Sequence, residues 1–248
     1  MRILMIVTSH DKMGETGHKT GIWLEEFAAP YYRFLDAGAD VTLASPKGGK
    51  PPLDPNSEVP DALTDATKRF ENDADAQAAF ANTVTLDGLK ADDFDALFYP
   101  GGHGPLWDLA NDAKSIALIE AFTAQDKPVA AVCHGPAALV GAKGTDGKPL
   151  VSGKKVTSFT NDEEKAVGLE TVVPISIEDE FKKHGATFER GENWASYAVV
   201  DGNVYRVLAR FFGIDQPTNT TTGKKLFFQL AQTLLDEHQP ATYNQAIM

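Results

Sequence analysis

The sequence predicts an α/β fold, a doubly wound and mostly parallel sheet with helices on both faces. Three observations predict it. Apolar segments of strand length alternate with segments of helical apolar spacing, the first strand is apolar throughout, and sharp polar turns follow several strands. A short antiparallel addition is predicted near the C-terminus. With 248 residues, the chain is predicted to be a single domain, residues 1–248.

The first predicted elements form a β-α-β unit. Residues 2–8 are apolar almost without interruption, which is typical of a central strand buried on both faces of a parallel sheet. Residues 22–35 have helical apolar spacing, and Gly38 is predicted to end that helix, with a kink at Pro30. A second strand at 41–44 completes the unit, which predicts a right-handed crossover.

The remaining elements follow the same alternation. Further strands are predicted at 94–99, 129–132, 155–159, 187–189, 196–200 and 204–208. Further helices are predicted at 61–81, 116–122, 177–184 and 223–237, and directly after residue 134. Asp201-Gly202 predicts a hairpin turn between the last two strands, which is the antiparallel addition.

Composition excludes several classes of partner. The net charge is −12 at pH 7 and the sequence has no basic run, so neither nucleic acid nor an anionic membrane is a predicted partner. A single cysteine precludes an internal disulfide, which is typical of the reducing cytoplasm. The N-terminal run does not fit a signal peptide and no apolar stretch reaches membrane-spanning length, so we predict a cytoplasmic location.

The only cysteine is the predicted centre of the chemistry. Cys133 lies between the apolar run 129–132 and small residues that begin at Gly135, which predicts a strand, a sharp turn and a helix. This is the layout of a nucleophile elbow, which lifts a reactive group off the sheet. The N-terminus of a helix at that point would favour the thiolate. A buried structural cysteine is the alternative interpretation.

A glycine loop is predicted to lie beside the cysteine. Gly101-Gly102-His103-Gly104 follows a predicted strand, and its backbone N–H groups can approach an oxyanion closely, although a simple tight turn also explains it. Of the six histidines, His103 and His134 are the candidates for chemistry. No histidine spacing is typical of a metal site, so none is predicted.

Glu25 and Glu26 provide a candidate acid on the first helix. The apolar positions 22, 23 and 27 place Glu26 nearer the buried face and direct Glu25 to water. A carboxyl group that faces inward is usually paired or functional. The alternative is an ordinary solvated helix face.

In these stretches the chain resembles the ThiJ/PfpI superfamily, also described as class I glutamine amidotransferase-like. Within it, the chain is similar to the subgroup of glyoxalase III and heat-shock chaperone-deglycase proteins. The resemblance is carried, in the family's order, by residues 19–26, 51–57, 101–104 with Asp108, 130–136 and 159–164. Residues 210–218 depart from the subgroup's usual Gly-Gln-Asn-Pro pattern, which leaves the substrate preference open.

The resemblance implies a flavodoxin-like fold, a homodimer, no cofactor and a small-molecule aldehyde substrate. It also implies roles for individual residues. These are Cys133 as nucleophile, Glu26 as proton shuttle, His134 as the triad histidine, Glu164 (or Asp162) as the triad acid, the N–H groups of Gly102 and His134 as oxyanion hole, and Gly101 and His103 in the substrate-binding loop.

Three activities remain open from the sequence. The first is a lyase of the glyoxalase III type, which converts methylglyoxal to lactate without glutathione and uses the same groups for deglycation. The second is a cysteine hydrolase or amidase, for which His184 or His238 would be the histidine. The third is a stress chaperone or redox sensor without catalysis.

Overall fold

The computed structural model describes residues 1–195, 197–200 and 244–247. Its strands are β1 (Arg2–Ile6), β2 (Asp40–Ala44), β3 (Ala96–Tyr99), β4 (Val129–Val132), β5 (Lys155–Val156), β6 (Thr187–Phe188), β7 (Tyr197–Val200) and β8 (Asn244–Ile247). Its α-helices are α1 (Leu24–Asp36), α2 (Asp65–Glu71), α3 (Ala74–Ala81), α4 (Ala113–Ala124), α5 (Asn161–Ala166) and α6 (Ile177–Lys183). None of these helices is long and apolar enough to cross a membrane.

Six strands form the central sheet in the order β2-β1-β3-β4-β8-β7. All neighbouring pairs are parallel except β4 and β8, which run antiparallel. The strands β5 and β6 form a separate parallel pair. The mostly parallel sheet confirms the predicted fold class, whereas the antiparallel strand observed is β8, a strand that the sequence pattern did not predict.

Both faces of the sheet are buried, which explains why β1 is apolar throughout. Ile3 and Met5 pack with Phe27 of α1 in one core cluster. Leu4 and Ile6 point to the opposite face, where they pack in a second cluster with the apolar residues of α4. Successive side chains of a strand alternate between faces, so a strand covered on both sides needs apolar residues at every position.

The predicted helix at 61–81 is two helices, α2 and α3. The Thr64 side chain caps α2 and the Asp73 side chain accepts from the Ala76 N–H at the start of α3. A side chain that caps a new helix ends the preceding one, so the interruption follows from local chemistry. The first helix begins at Leu24 rather than at Ile22, because Ile22 forms a bridge with Leu53.

Two further predictions differ from the structure, and others fall on residues outside the described ones. The segment after Cys133 is a short 3-10 helix, Gly135–Leu139, with Pro136 in its first turn, rather than an α-helix. The strand predicted at 155–159 is reduced to β5, because residues 157–160 turn towards the cysteine. The predicted hairpin at Asp201-Gly202, the strand at 204–208, the helix at 223–237 and the segment 210–218 lie outside the described residues.

Candidate active site

The candidate site lies at the carboxyl ends of β1, β3 and β4. These strands are adjacent and parallel, so the loops that follow them meet at one edge of the sheet. The Asp108 carboxylate joins two of these loops, because it accepts hydrogen bonds from Thr8 Oγ1 at 2.8 Å and from the Ser9 N–H at 2.7 Å. The loop after β4 supplies Cys133.

Cys133 occupies a sharp turn directly after β4. Its φ is 56°, in the left-handed region that residues with a side chain rarely adopt. The side chain is 8% exposed. Such a conformation persists only where the surrounding structure holds it, and it is typical of active sites. The geometry is that of an elbow, with the sulfur in a nearly closed space.

A hydrogen-bonded series links the sulfur to a carboxylate. Cys133 Sγ lies 3.2 Å from His134 Nδ1, and His134 Nε2 lies 2.7 Å from Glu164 Oε2. Since a carboxylate only accepts, the hydrogen-bond partners assign the ring proton to Nε2. Nδ1 is then free to accept the proton of the thiol, which is the geometry required of a general base.

Helix α5 positions Glu164 through a capping box. Thr160 Oγ1 accepts the Glu163 N–H, and the Glu163 carboxylate accepts the Thr160 N–H at 2.9 Å. The next residue, Glu164, is thereby directed inward. Asp162, the reserve candidate for the triad acid, lies on the exposed side, where it pairs with Arg190 at 2.5 Å.

His103 shares the same carboxylate. Its Nε2 lies 2.9 Å from Glu164 Oε1, and its ring centroid lies 4.0 Å from that of His134. Burial alone would raise the pKa of Glu164, but the hydrogen bonds of the two histidines outweigh burial and lower it to about 2. Glu164 is therefore ionised throughout the physiological range.

Burial controls the charge of the other two acid–base groups. Burial and, after it, the nearby His103 lower the pKa of His134 to about 4, so His134 is neutral at neutral pH. Burial raises the pKa of Glu26 to about 8, while hydrogen bonding with the Cys133 thiol and the Gly101 N–H opposes this rise only in part. Glu26 is therefore mostly protonated at neutral pH.

Cys133 and Glu26 form a coupled pair. Burial raises the pKa of Cys133, the negative charge of an ionised Glu26 raises it further, and the Gly102 N–H lowers it. Two negative charges in a buried site repel, so the pair carries at most one of them near neutral pH. The α-helix dipole that the sequence predicted beneath the sulfur is absent here, because the segment is a 3-10 turn.

The glycine loop is fixed by close packing. A Cβ on Gly101 would lie 2.6 Å from the Val132 carbonyl oxygen and 2.7 Å from the Cys133 Cβ. Gly102 has a φ of +86°, which strains any residue with a side chain. The Gly101 carbonyl also accepts the Trp23 N–H at 3.2 Å, which ties the loop to the start of α1. Both glycines are therefore needed for Glu26 and Cys133 to approach each other.

One group of side chains within the described ranges has donor atoms close enough to hold a metal ion. His103, His134 and Glu164 place their ligand atoms within 4.8 Å of one another. Each Nε2, however, already lies at hydrogen-bonding distance from one oxygen of the carboxylate. We therefore interpret the group as a hydrogen-bonded cluster.

Glu25 does not point to water, contrary to the sequence prediction. Its side chain is 2% exposed and accepts a short hydrogen bond from Thr64 Oγ1, at the N-terminus of α2. The apolar spacing of α1 identified only the face that packs on the sheet. The helix is also covered by α2, and a second buried face is not visible in a pattern that assumes one solvated side.

Two aromatic residues near the site were not identified from the sequence. The Phe159 ring centroid lies 4.3 Å from that of His134, and Trp194 packs edge-on against Phe159 at 5.8 Å. Phe159 belongs to the stretch that carried the resemblance, but no role for it was predicted. Trp194 lies in a polar loop without apolar periodicity, so no sequence pattern placed it near the site.

Comparison with known proteins gives consistent relatives. The DJ-1/PfpI family profile matches residues 20–206. The chain is 34% identical over 215 residues to Glyoxalase 3 of Candida albicans, which covers 82% of this chain and 90% of that protein. It is 33% identical over 216 residues to the glutathione-independent glyoxalase HSP31 of Saccharomyces cerevisiae, with coverage of 82% and 89%.

Solved structures agree with these relatives. The Rapid Encystment Protein 24 kDa of Francisella tularensis has a TM-score of 0.77 and 36% identity, over 81% of this chain and 88% of that one. Crystalline glyoxalase III of Candida albicans has a TM-score of 0.76 and 30% identity, over 82% and 88%. The match of sequence and fold over most of the chain shows that this protein belongs to the DJ-1/PfpI family.

Proposed function

We propose that this protein is a glutathione-independent glyoxalase with Cys133 as its nucleophile and no cofactor. It would convert a 2-oxoaldehyde such as methylglyoxal into the corresponding 2-hydroxy acid, here lactate. The names of the relatives support the activity. The observation that carries the proposal is the series from the Cys133 thiol through His134 to Glu164, with a protonated Glu26 beside the same sulfur.

In the first step, the sulfur adds to the aldehyde. His134 Nδ1 accepts the thiol proton and the thiolate attacks the aldehyde carbon, which forms a carbon–sulfur bond and an oxyanion. The neighbouring Glu164 carboxylate stabilises the imidazolium that results. The N–H groups of Gly102 and His134 stabilise the oxyanion, and Glu26 then protonates it to give a hemithioacetal.

In the second step, a proton moves between the two carbons of the substrate. The Glu26 carboxylate removes the hydrogen from the first carbon while the imidazolium of His134 protonates the oxygen of the second, which gives an enediol. Glu26 returns its proton to the second carbon and His134 accepts the hydroxyl proton of the first. The product is a thioester of the 2-hydroxy acid. A carboxyl pKa of about 8 suits this exchange near neutral pH.

In the third step, water releases the acid. The Glu26 carboxylate accepts a proton from water, whose oxygen attacks the thioester carbon. The carbon–sulfur bond breaks, and the departing thiolate takes the proton back from His134. Overall, one water molecule is consumed and the three groups return to their starting states, so no external oxidant or cofactor is required. Early glycation adducts of amines present the same carbonyl chemistry to these groups.

The hydrolase alternative has less support. His184 is the C-cap of α6, and its Nε2 lies 3.8 Å from Oε2 of Glu180 on that helix. His238 lies outside the described residues. The histidine that contacts the thiol is His134, which follows it directly. The homodimer and the cytoplasmic location predicted from the sequence stay predictions.

The test is lactate formation from methylglyoxal in the absence of glutathione. We expect the parent protein to form lactate, and the variant Cys133→Ser to be slower by more than about a thousandfold, because a hydroxyl is far less ionised than a thiol. Circular dichroism of both proteins checks that the variant is folded. A rate close to that of the parent in Cys133→Ser would place the chemistry elsewhere, and hydrolysis of esters or amides instead would favour the hydrolase.

A further inference from the structure

We infer that Phe159 and Trp194 form a subsite for an apolar substituent of the substrate. The site would then prefer 2-oxoaldehydes with a bulky apolar group on the second carbonyl over glyoxal, which has none. The inference rests on the proposed function and adds a substrate preference to it. The observation behind it is a row of rings that leads from the buried His134 to the surface.

Phe159 is attached to the reaction centre in two ways. Its backbone N–H donates to the Cys133 carbonyl oxygen at 2.9 Å, and its ring centroid lies 4.3 Å from that of His134. It also lies 6.0 Å from the ring of His103. A substrate bound to the Cys133 sulfur would therefore lie next to Phe159, whose ring contacts that of the proposed base, His134.

Trp194 extends this row to the surface. Its ring stands at 63° to that of Phe159, with centroids 5.8 Å apart, and the residue is 40% exposed. The other large apolar residues exposed in the described part of the chain are all valines. An indole placed at the edge of a buried site can cover an apolar ligand while its outer edge stays in water.

The conformation of Trp194 is strained and is held from within the protein. Its φ is 65°, which is unusual for a bulky residue. The backbone N–H of Trp194 donates to Glu163 Oε1 at 3.0 Å, and Glu163 is only 2% exposed. The adjacent Glu164 bonds His134. One short helix, α5, thus bonds both the proposed base and the backbone of Trp194.

The rings determine the class of substituent. The reacting carbonyl groups have polar partners at the elbow and the glycine loop, whereas Phe159 and Trp194 offer mainly apolar ring surface. Aromatic rings pack well edge-on or offset against another ring. A phenyl group is therefore the best probe, and phenylglyoxal and glyoxal differ only by it.

The experiment compares kcat/KM for phenylglyoxal and for glyoxal in the parent and in Trp194→Asn. Asparagine tolerates a positive φ better than most residues, so this change removes the ring without adding backbone strain. We expect the ratio of phenylglyoxal to glyoxal to fall about twofold to tenfold, the range given by an aromatic contact. The control is Val84→Ala, another exposed apolar position, which is expected to leave the ratio unchanged.

Four results would overturn the inference. If the parent turns over both aldehydes and Trp194→Asn keeps the parent ratio, the subsite is wrong and the proposed function stands. If Trp194→Asn keeps the ratio but changes the molecular mass in solution, the indole belongs to an interface between copies. If the parent turns over methylglyoxal but neither of these aldehydes, the subsite alone is wrong, and if it turns over none of the three, the proposed function fails and the subsite fails with it.

Discussion

Two adjacent carboxyl groups on α1 are equally buried but contact different elements of the fold. Glu25 and Glu26 are each 2% exposed. Glu25 accepts a hydrogen bond from the hydroxyl of Thr64, the residue that caps α2. Glu26 lies against Gly101 and the sulfur of Cys133, and its Oε2 has no hydrogen-bond partner within normal geometry among the described residues.

The difference shows that burial of an acid does not by itself identify a functional group. The contact of Glu25 holds two helices together, and a buried carboxyl with a partner of this kind has a structural explanation. Glu26 contacts the proposed nucleophile and the glycine loop, and burial without a full set of partners keeps it protonated. What separates the two roles is the element that covers each side chain.

For these two carboxyl groups, the largest expected effect is the loss of catalysis in Glu26→Gln. The amide can still donate a hydrogen bond to the sulfur, but it cannot exchange a proton with the substrate. We expect kcat for lactate formation to fall by about a hundredfold to ten-thousandfold, the usual contribution of a general acid–base group. A variant with kcat within about twofold of the parent would remove Glu26 from the mechanism.

The stability of the same variant gives the matched control. Glu26 binds its proton more tightly in the folded state, since its pKa is about 8 there against an ordinary value of 4.5. The stabilisation of the folded state by this tighter proton binding is therefore present below pH 4.5 and is lost as pH rises through about 8. Glu26→Gln does not undergo this loss, so urea denaturation at alkaline pH is expected to show that the variant is more stable than the parent. A fall in kcat in a variant that is at least as stable as the parent then reflects lost catalysis and not unfolding.

A smaller effect, on stability alone, is expected for Glu25→Gln. This change weakens the hydrogen bond to Thr64 and should reduce the free energy of unfolding by about 1–3 kcal/mol. The kcat of the folded protein should stay near that of the parent. Thr64→Val, which removes the other partner and also the cap of α2, should show a larger loss, and the double variant should lose less than the sum. A strong fall in kcat for Glu25→Gln would contradict the comparison.

Much of the site could be predicted because its residues follow strands directly. Cys133 and the glycine loop each come after an apolar run, and parallel strands bring such loops to one edge without any knowledge of side-chain packing. These predictions needed only the order of elements along the chain. The capping box that begins at Thr160 is also a local pattern, but it was not identified from the sequence.

The features that could not be predicted depend on contacts between distant elements. Glu25 is buried by α2, which starts 40 residues later in the chain. The bond from His103 to Glu164 joins residues 61 positions apart, and neither residue's neighbours in sequence indicate it. The predicted helix after Cys133 is a 3-10 turn, and a Cβ on Gly135 would lie 2.4 Å from the Tyr99 carbonyl oxygen, a contact that the sequence does not show.

The central claim, that Glu26 is protonated beside the nucleophile, can be measured directly by infrared difference spectroscopy. The parent spectrum minus that of Glu26→Gln isolates the carboxyl band of this one residue. The band of a protonated carboxylic acid is expected at about pH 6 and should disappear with a midpoint near pH 8. If the difference spectrum shows only carboxylate at about pH 6, Glu26 is ionised there and cannot donate a proton to the substrate, which would contradict the mechanism.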